Sequence, residues 1–158
     1  MKVCVLGAGG FIGKNLLHGT DWVGVTRHDV DLLNQSAVEE FFNINTYDVV
    51  VHCASSIDQQ NETTTYKNIL MFENVSRVFK GKLLYFSSGA ALRGNPPIDP
   101  YGLSKWIIDQ GLRSSHTHTH FVFGGATVPG NYQPVLVRCV RGRVTSSSNE
   151  IGTSTSSM

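Results

Sequence analysis

Tyr101 and Lys105 stand four residues apart in YGLSK, a spacing that puts both side chains on one face of a helix, one turn apart. A tyrosine hydroxyl is a poor acid or base at neutral pH, because its pKa is ~10. A cation held beside it favours the phenolate and lowers that value. A tyrosine tuned in this way can trade a proton with a hydroxyl or carbonyl whose carbon gains or loses a hydride. Ser88, at the end of the apolar run KLLYFSS, offers a hydroxyl that could hydrogen-bond the reacting oxygen. A lone YxxxK is more often a solvated surface pair, so the weight of this constellation rests on what accompanies it.

Its main companion is a glycine loop. Gly7, Gly10 and Gly13 lie in LGAGGFIGKNL, between an apolar run and a segment of helical pattern. A nucleotide pyrophosphate requires this arrangement. The first glycine permits a tight turn, the second lets backbone N–H groups approach the phosphates, and the third lets helix and strand pack closely. The N-terminus of the following helix adds partial positive charge and unpaired donors. A purely structural turn is the competing reading, and the position directly after an N-terminal strand weighs against it.

The elements that would position these groups follow from periodicity. Short β-branched or continuously apolar runs at 2–6, 22–26, 47–54 and 82–88 read as strands buried in a parallel sheet. Helical spacing is seen at 11–18 (with Gly19 as a stop), at 35–42 behind the N-cap Asn34, at 65–79, and at 101–112 after Pro100. Strand and helix alternate four times, which implies right-handed βαβ crossovers. The fold class is α/β, a Rossmann-type doubly wound parallel sheet. Ser88 would then lie at the carboxyl edge of the sheet, where open α/β folds bind ligands.

Composition narrows the remaining classes. The chain has 158 residues, enough for one domain at roughly 150 residues each. Hydrophobic residues make up 41% and charged residues 16%, as expected of a globular chain with a real core. Thirteen basic against twelve acidic side chains leave a net charge of +1, which gives no footprint for nucleic acid. No apolar run approaches the ~18 residues of a membrane span, and the N-terminal stretch lacks the pattern of a signal peptide. Cys4, Cys53 and Cys139 are odd in number and have no CxxC spacing. They read as reduced thiols of a cytoplasmic protein, with Cys4 and Cys53 inside strands. His116, His118 and His120 alternate as strand ligands could, but no Cys or carboxylate cluster completes a set, so no metal site is expected. GxSxG is absent, which excludes a hydrolase elbow.

Taken together, GAGGFIG (7–13), DLLNQSAVEEFF (31–42), DVVVHCAS (48–55), NILMFEN (68–74), YFSS (85–88) and YGLSK (101–105) resemble the extended short-chain dehydrogenase/reductase family. These are the NAD(P)-dependent nucleotide-sugar epimerases, dehydratases and reductases. TRHDVDLLNQSAVEEFF is most similar to the GDP-fucose synthase and deoxy-sugar nucleotide reductase branches. The resemblance implies Tyr101 as proton donor and acceptor, Lys105 on the nicotinamide ribose, and Ser88 on the substrate oxygen. Gly7, Gly10, Phe11, Ile12 and Gly13 would hold the pyrophosphate, Asp31 and Leu32 would lie by the adenine, and Ala54 by the ribose and phosphates. Asn68 would support the site without carrying a proton. The implied partner is a nucleotide-sugar, and relatives commonly form homodimers.

Two features depart from the family pattern. LRG (92–94) stands where a Tyr-Gly pair is usual, which affects the lip of the sugar site. Arg27 could pair with a 2′-phosphate and select NADP, or be a solvated loop arginine; NADP is placed ahead of NAD. The resemblance covers the first ~112 positions, giving a cofactor-binding domain at 1–115 and an irregular or disordered tail at 116–158. The last fourteen residues contain nine Ser or Thr, too little apolar surface to offset ordering entropy. Regrouping the codons allowed for residues 121–136 by one base permits the family's next strand and Gly-Pro loop. A frameshift near 113–120 is therefore one explanation of the tail, and a naturally short or diverged C-terminus is the other; the coding DNA decides between them. An inactive truncated relative, or a dinucleotide-binding module without chemistry, is the alternative to an active enzyme.

Overall fold

The structure is a computed structural model that describes the backbone of residues 1–114, 120–124, 134–135, 138–140 and 143–145, and side chains through residue 112. In chain order the first half of the fold is β1 (Val3–Leu6), α1 (Phe11–Leu17), β2 (Val23–Val25), α2 (Gln35–Ile44) and β3 (Val49–His52). The second comprises α3 (Thr63–Val78), β4 (Lys82–Ser88), a 3-10 turn at Gly89–Leu92, α4 (Pro100–Ser114) and β5 (His120–Gly124). Short strands β6 (Pro134–Val135), β7 (Arg138–Val140) and β8 (Arg143–Thr145) follow. The main sheet runs β2-β1-β3-β4-β5-β6, parallel except for β6, while β7 and β8 pair separately.

The alternation of side chains along β1 and β3 sorts the core into two layers. Cys4, Leu6 and Val50 face α2 and α3, where Val38 and Val75 are fully buried. Val3, Val5, Val49 and Val51 face the other way, onto Ile12, Leu16 and Leu17 of α1. With helices on both faces, the sheet is doubly wound as the sequence implies. Each buried valine contributes about 1.5–3 kcal/mol through the area it removes from water.

Helix boundaries follow capping chemistry. Asn34 Oδ1 accepts from the Ala37 N–H (3.1 Å) and starts α2. Asp99 Oδ1 accepts from the Gly102 N–H (2.7 Å), so α4 begins at Pro100 itself, one residue earlier than the periodicity indicates. Proline suits the first helical position, where no N–H is required. Gly19, with φ +72°, ends the turn after α1.

Two details differ from the sequence pattern. β3 covers only 49–52 of the apolar run 47–54; beyond it the Cys53 N–H still donates to the Leu6 carbonyl (3.0 Å) and the Ala54 backbone packs against Gly7. Cys53 is therefore just beyond a strand rather than within one, its Sγ–H donating to the Leu6 carbonyl at 3.0 Å. Further along the chain, β5 pairs in parallel with β4 from Leu84↔His120 to Ser88↔Gly124. Phe121, Val122 and Phe123 supply the β-forming residues for that strand. Residues 146–158 lie outside the described residues, as do His116 and His118 of the histidine trio.

Candidate dinucleotide crevice

From β1 the chain passes to β2 on one side, while β3 lies on the other, so the strand order reverses between β1 and β3. Open α/β sheets bind ligands at the carboxyl ends of the strands at such a point. A cavity of about 620 Å³ opens there. Of the residues singled out from sequence, Gly7, Gly10, Arg27, Asp31, Leu32 and Ala54 line it.

The three loop glycines have different roles. Gly7 has φ +91°, and a Cβ there would lie 2.6 Å from the Ala54 nitrogen, so neither backbone nor space admits a side chain. At Gly13 a Cβ would sit 2.2 Å from the Gly7 carbonyl oxygen and 2.7 Å from the Ala8 Cα, the close approach of α1 onto the loop. Gly9 and Gly10 differ. The nearest protein atom to an added Cβ would be 4.0 Å away at Gly9 and 3.4 Å at Gly10. Packing does not require them to be bare, yet both line the cavity, where the Gly10 N–H donates to the Gly7 carbonyl (3.0 Å). Bare peptide on a cavity wall suits a pyrophosphate. Phe11 and Ile12 follow in the first turn of α1, Phe11 largely exposed, and neither lines the cavity.

The opposite wall comes from the segment after β2 and from α3. Asp29 accepts from both the backbone N–H (2.7 Å) and the hydroxyl (2.8 Å) of Thr26, which fixes the loop carrying Arg27 and His28 and holds the Asp29 carboxyl below its ordinary pKa. Arg27 is exposed and makes no hydrogen bond or ion pair among the described residues. Asp31 Oδ1 accepts from the Leu33 N–H (3.0 Å), and the Leu32 carbonyl accepts from buried Asn74 Nδ2 (2.9 Å). A second buried amide on α3, Asn68, accepts from the Ser56 N–H (2.7 Å) and donates to the Ser56 carbonyl and the Ser104 hydroxyl (2.9 Å each). Ser104 donates in turn to the Tyr101 carbonyl (2.7 Å). One helix thus ties down two cavity walls and the first turn of α4.

Tyr101 is half-buried at the start of α4, and Lys105 is 3% exposed one turn later. The Lys105 ammonium donates to the Phe86 carbonyl (2.9 Å) and lies 4.6 Å from the Tyr85 ring centroid and 5.7 Å from that of Tyr101. Burial pulls its pKa down to about 8, while Asp109 and Cys53 act against the fall. Cys53 lines the cavity, whereas Ser88, Tyr101 and Lys105 are not among its lining residues. Ser88 Oγ accepts from the Ala90 N–H (3.2 Å) and caps the 3-10 turn, leaving its own proton available to another acceptor. Burial pushes the Cys53 thiol up to about 12, so it is neutral and unreactive.

The cavity is also lined by residues that carry no site signal in the sequence, among them Gly9, Thr26, His28, Ser55, Ser56, Lys67 and Met71. Lys67 is adjacent to Asn68, but no spacing rule marks it. Among the described residues no group of three or more His, Cys, Asp or Glu could hold a metal, and no helix is long and apolar enough to cross a membrane.

Comparison with solved structures places the fold. The chain is similar to a dTDP-4-dehydrorhamnose reductase from Bacillus anthracis in complex with NADP, with TM-score 0.67 and 22% identity over 79% of this chain and 54% of that one. It is similar to the Bordetella bronchiseptica enzyme WbmG in complex with NAD and UDP, at TM-score 0.64 and 18% identity over 77% and 52%. A GDP-L-fucose synthetase from Naegleria fowleri gives TM-score 0.61 and 19% identity over 78% and 48%. The chain therefore spans about half the length of these structures. A search of curated proteins by sequence finds no match. The sequence profile of the NAD dependent epimerase/dehydratase family matches residues 3–131. That match takes in the glycine loop, both cavity walls and the Tyr-Lys helix, and the chain belongs to the NAD dependent epimerase/dehydratase family.

Proposed function

We propose that the chain binds NADP or NAD across the carboxyl edge of its sheet and is the cofactor half of a nucleotide-sugar reductase or epimerase. The observation that carries this reading is the cavity at the β1/β3 reversal, with bare Gly9 and Gly10 backbone on one wall and Arg27 on another. Phe11, Ile12 and Gly13 follow the loop into α1, and Asp31 and Leu32 form the adenine end. When bound, a nicotinamide supplies or accepts the hydride at the sugar carbon. Tyr101 moves the proton at the sugar oxygen, Ser88 donates a hydrogen bond to that oxygen, and Lys105 holds positive charge beside the phenol and the ribose. In this reading residues 1–115 carry the cofactor chemistry, the protein works in the cytoplasm, and α4 takes part in a homodimer.

Tyr101→Phe tests the chemistry. NADPH should bind within about threefold of the unaltered chain, since the phenol is not needed for affinity, while any turnover of a nucleotide-linked keto-sugar should fall at least about 100-fold. Comparable turnover in Tyr101→Phe overturns the role of Tyr101. A chain that binds NADPH with no turnover to lose is the non-catalytic module.

Arg27 makes a separate prediction about cofactor choice. A charge-assisted hydrogen bond to a 2′-phosphate is worth about 1.5–3 kcal/mol, so Arg27→Ser should weaken NADPH about 10- to 100-fold. NADH affinity should stay nearly unchanged. Fluorescence titration with both nucleotides reads the difference, and an equal loss for the two contradicts it.

A further inference from the structure

Beside Lys105 lies a pair of buried side chains, Ser87 and Asp109, that the proposed chemistry does not use. Phe86 and Ser87 are consecutive on β4, and they receive two successive turns of α4. Lys105 donates to the Phe86 carbonyl (2.9 Å), and Asp109, one turn on, accepts from the Ser87 hydroxyl (2.7 Å). All of these side chains are buried: Ser87 is 4% exposed, Lys105 3% and Asp109 3%. A cation this far from water needs a compensating charge or it gives up its proton.

The groups facing Lys105 can be taken element by element. From α4 come Tyr101 and Asp109; from β4, the Phe86 carbonyl and the Tyr85 ring; from the end of β3, Cys53 and His52. Burial pushes Cys53 up to about 12 and Tyr85 well above its ordinary value, so both are neutral at physiological pH. Burial, then the Lys105 charge itself, pushes His52 down to about 4, so it is neutral too. Among the described residues around this ammonium, the Asp109 carboxylate is the group able to supply negative charge.

We infer that Asp109 is a positioning residue: its carboxylate, fixed by Ser87 one helical turn beyond Lys105, holds the Lys105 ammonium on the Phe86 carbonyl before any cofactor arrives. The inference rests on the proposed function in one respect, that a charged Lys105 is what Tyr101 and the ribose require. Asp109 acts through Lys105, and Ser87 acts through Asp109.

The test is the titration of the Lys105 side chain by NMR in the full chain without cofactor, its resonance assigned by disappearance in Lys105→Met. The unaltered chain should titrate near a pKa of about 8. Asp109→Asn should lower the midpoint by about one unit or more, a tenfold loss of proton affinity. Asp109→Glu should restore it to within about half a unit, and Ser87→Ala should lower it by less than Asp109→Asn does. A folded Asp109→Asn chain whose Lys105 titrates at the unaltered midpoint overturns the inference. If Asp109→Asn does not fold, an unchanged midpoint in Ser87→Ala overturns it instead. NADPH titration of the unaltered chain is read separately. Failure to bind NADPH counts against the cofactor reading and leaves the Lys105 result standing, whereas normal binding with an unmoved Lys105 counts against Asp109 alone.

Discussion

Gly13→Ala should cost about 3 kcal/mol or more of stability, enough to leave much of the chain unfolded at 37 °C. The added methyl would lie 2.2 Å from the Gly7 carbonyl oxygen and 2.7 Å from the Ala8 Cα. Both obstacles are backbone, so no side chain can swing aside to make room. Relief requires α1 to move off β1, which uncovers Val3, Val5 and Val51. Gly9→Ala and Gly10→Ala make the contrast. Their methyls would meet protein no closer than 3.4 Å, and neither glycine has a positive φ, so stability should stay within about 1 kcal/mol. NADPH affinity should nonetheless fall about tenfold or more in each, because the methyl occupies the wall assigned to the pyrophosphate. Urea denaturation and NADPH titration on the three variants separate a packing glycine from two ligand glycines. A stable Gly13→Ala, or undiminished NADPH binding by Gly9→Ala and Gly10→Ala, contradicts this division.

Acid should destabilise the fold through His52. This residue is 1% exposed between Phe72 and Tyr85, and neither ring nitrogen has a hydrogen bond of ordinary geometry. Burial, and secondarily the Lys105 charge, push its pKa from 6.5 down to about 4, against a weaker upward pull from the Met71 backbone. Below pH 6.5 the unfolded chain takes up a proton that the folded chain refuses. Stability from this residue is therefore complete above 6.5 and is lost progressively as pH falls toward 4, by about 3 kcal/mol in all. His52→Leu keeps the volume and removes the proton site, so its stability should depend less steeply on pH across that window. The two cysteines act at the other extreme. Cys4 and Cys53 are pushed from 9.0 up to about 12, so the unfolded chain ionises first and stability falls as pH rises through that range. Denaturation curves at pH 7.0, 5.5 and 4.5 for both chains test the acid arm. Parallel losses in His52→Leu and the unaltered chain would remove His52 from the account.

The fold was legible where local pattern and global packing coincide. β4 reads off KLLYFSS residue for residue, and Asn34 announces α2, because capping and apolar runs act over a few residues. Gly7 and Gly13 were legible because backbone approach leaves glycine as the residue that fits. What escaped depends on contacts between distant segments. Asn74 meets Leu32 across 42 positions and Asn68 meets Ser104 across 36, and nothing in NILMFEN says which carbonyl or hydroxyl each amide will find. Lys67 and His28 line the cavity without belonging to any motif. The partnerless nitrogens of His52 were hidden for the same reason, since VVVHC reads as an ordinary buried run. β5 was obscured by its setting, a short apolar stretch between Thr-His alternation and a glycine-rich segment.

The most direct test is a crystal structure of the chain with NADPH at saturating concentration. The pyrophosphate should lie against the backbone of Gly9 and Gly10, the 2′-phosphate at Arg27, and the nicotinamide ring beside Tyr101 and Lys105. A crevice without nucleotide, or a ring held away from both of those side chains, would contradict this placement.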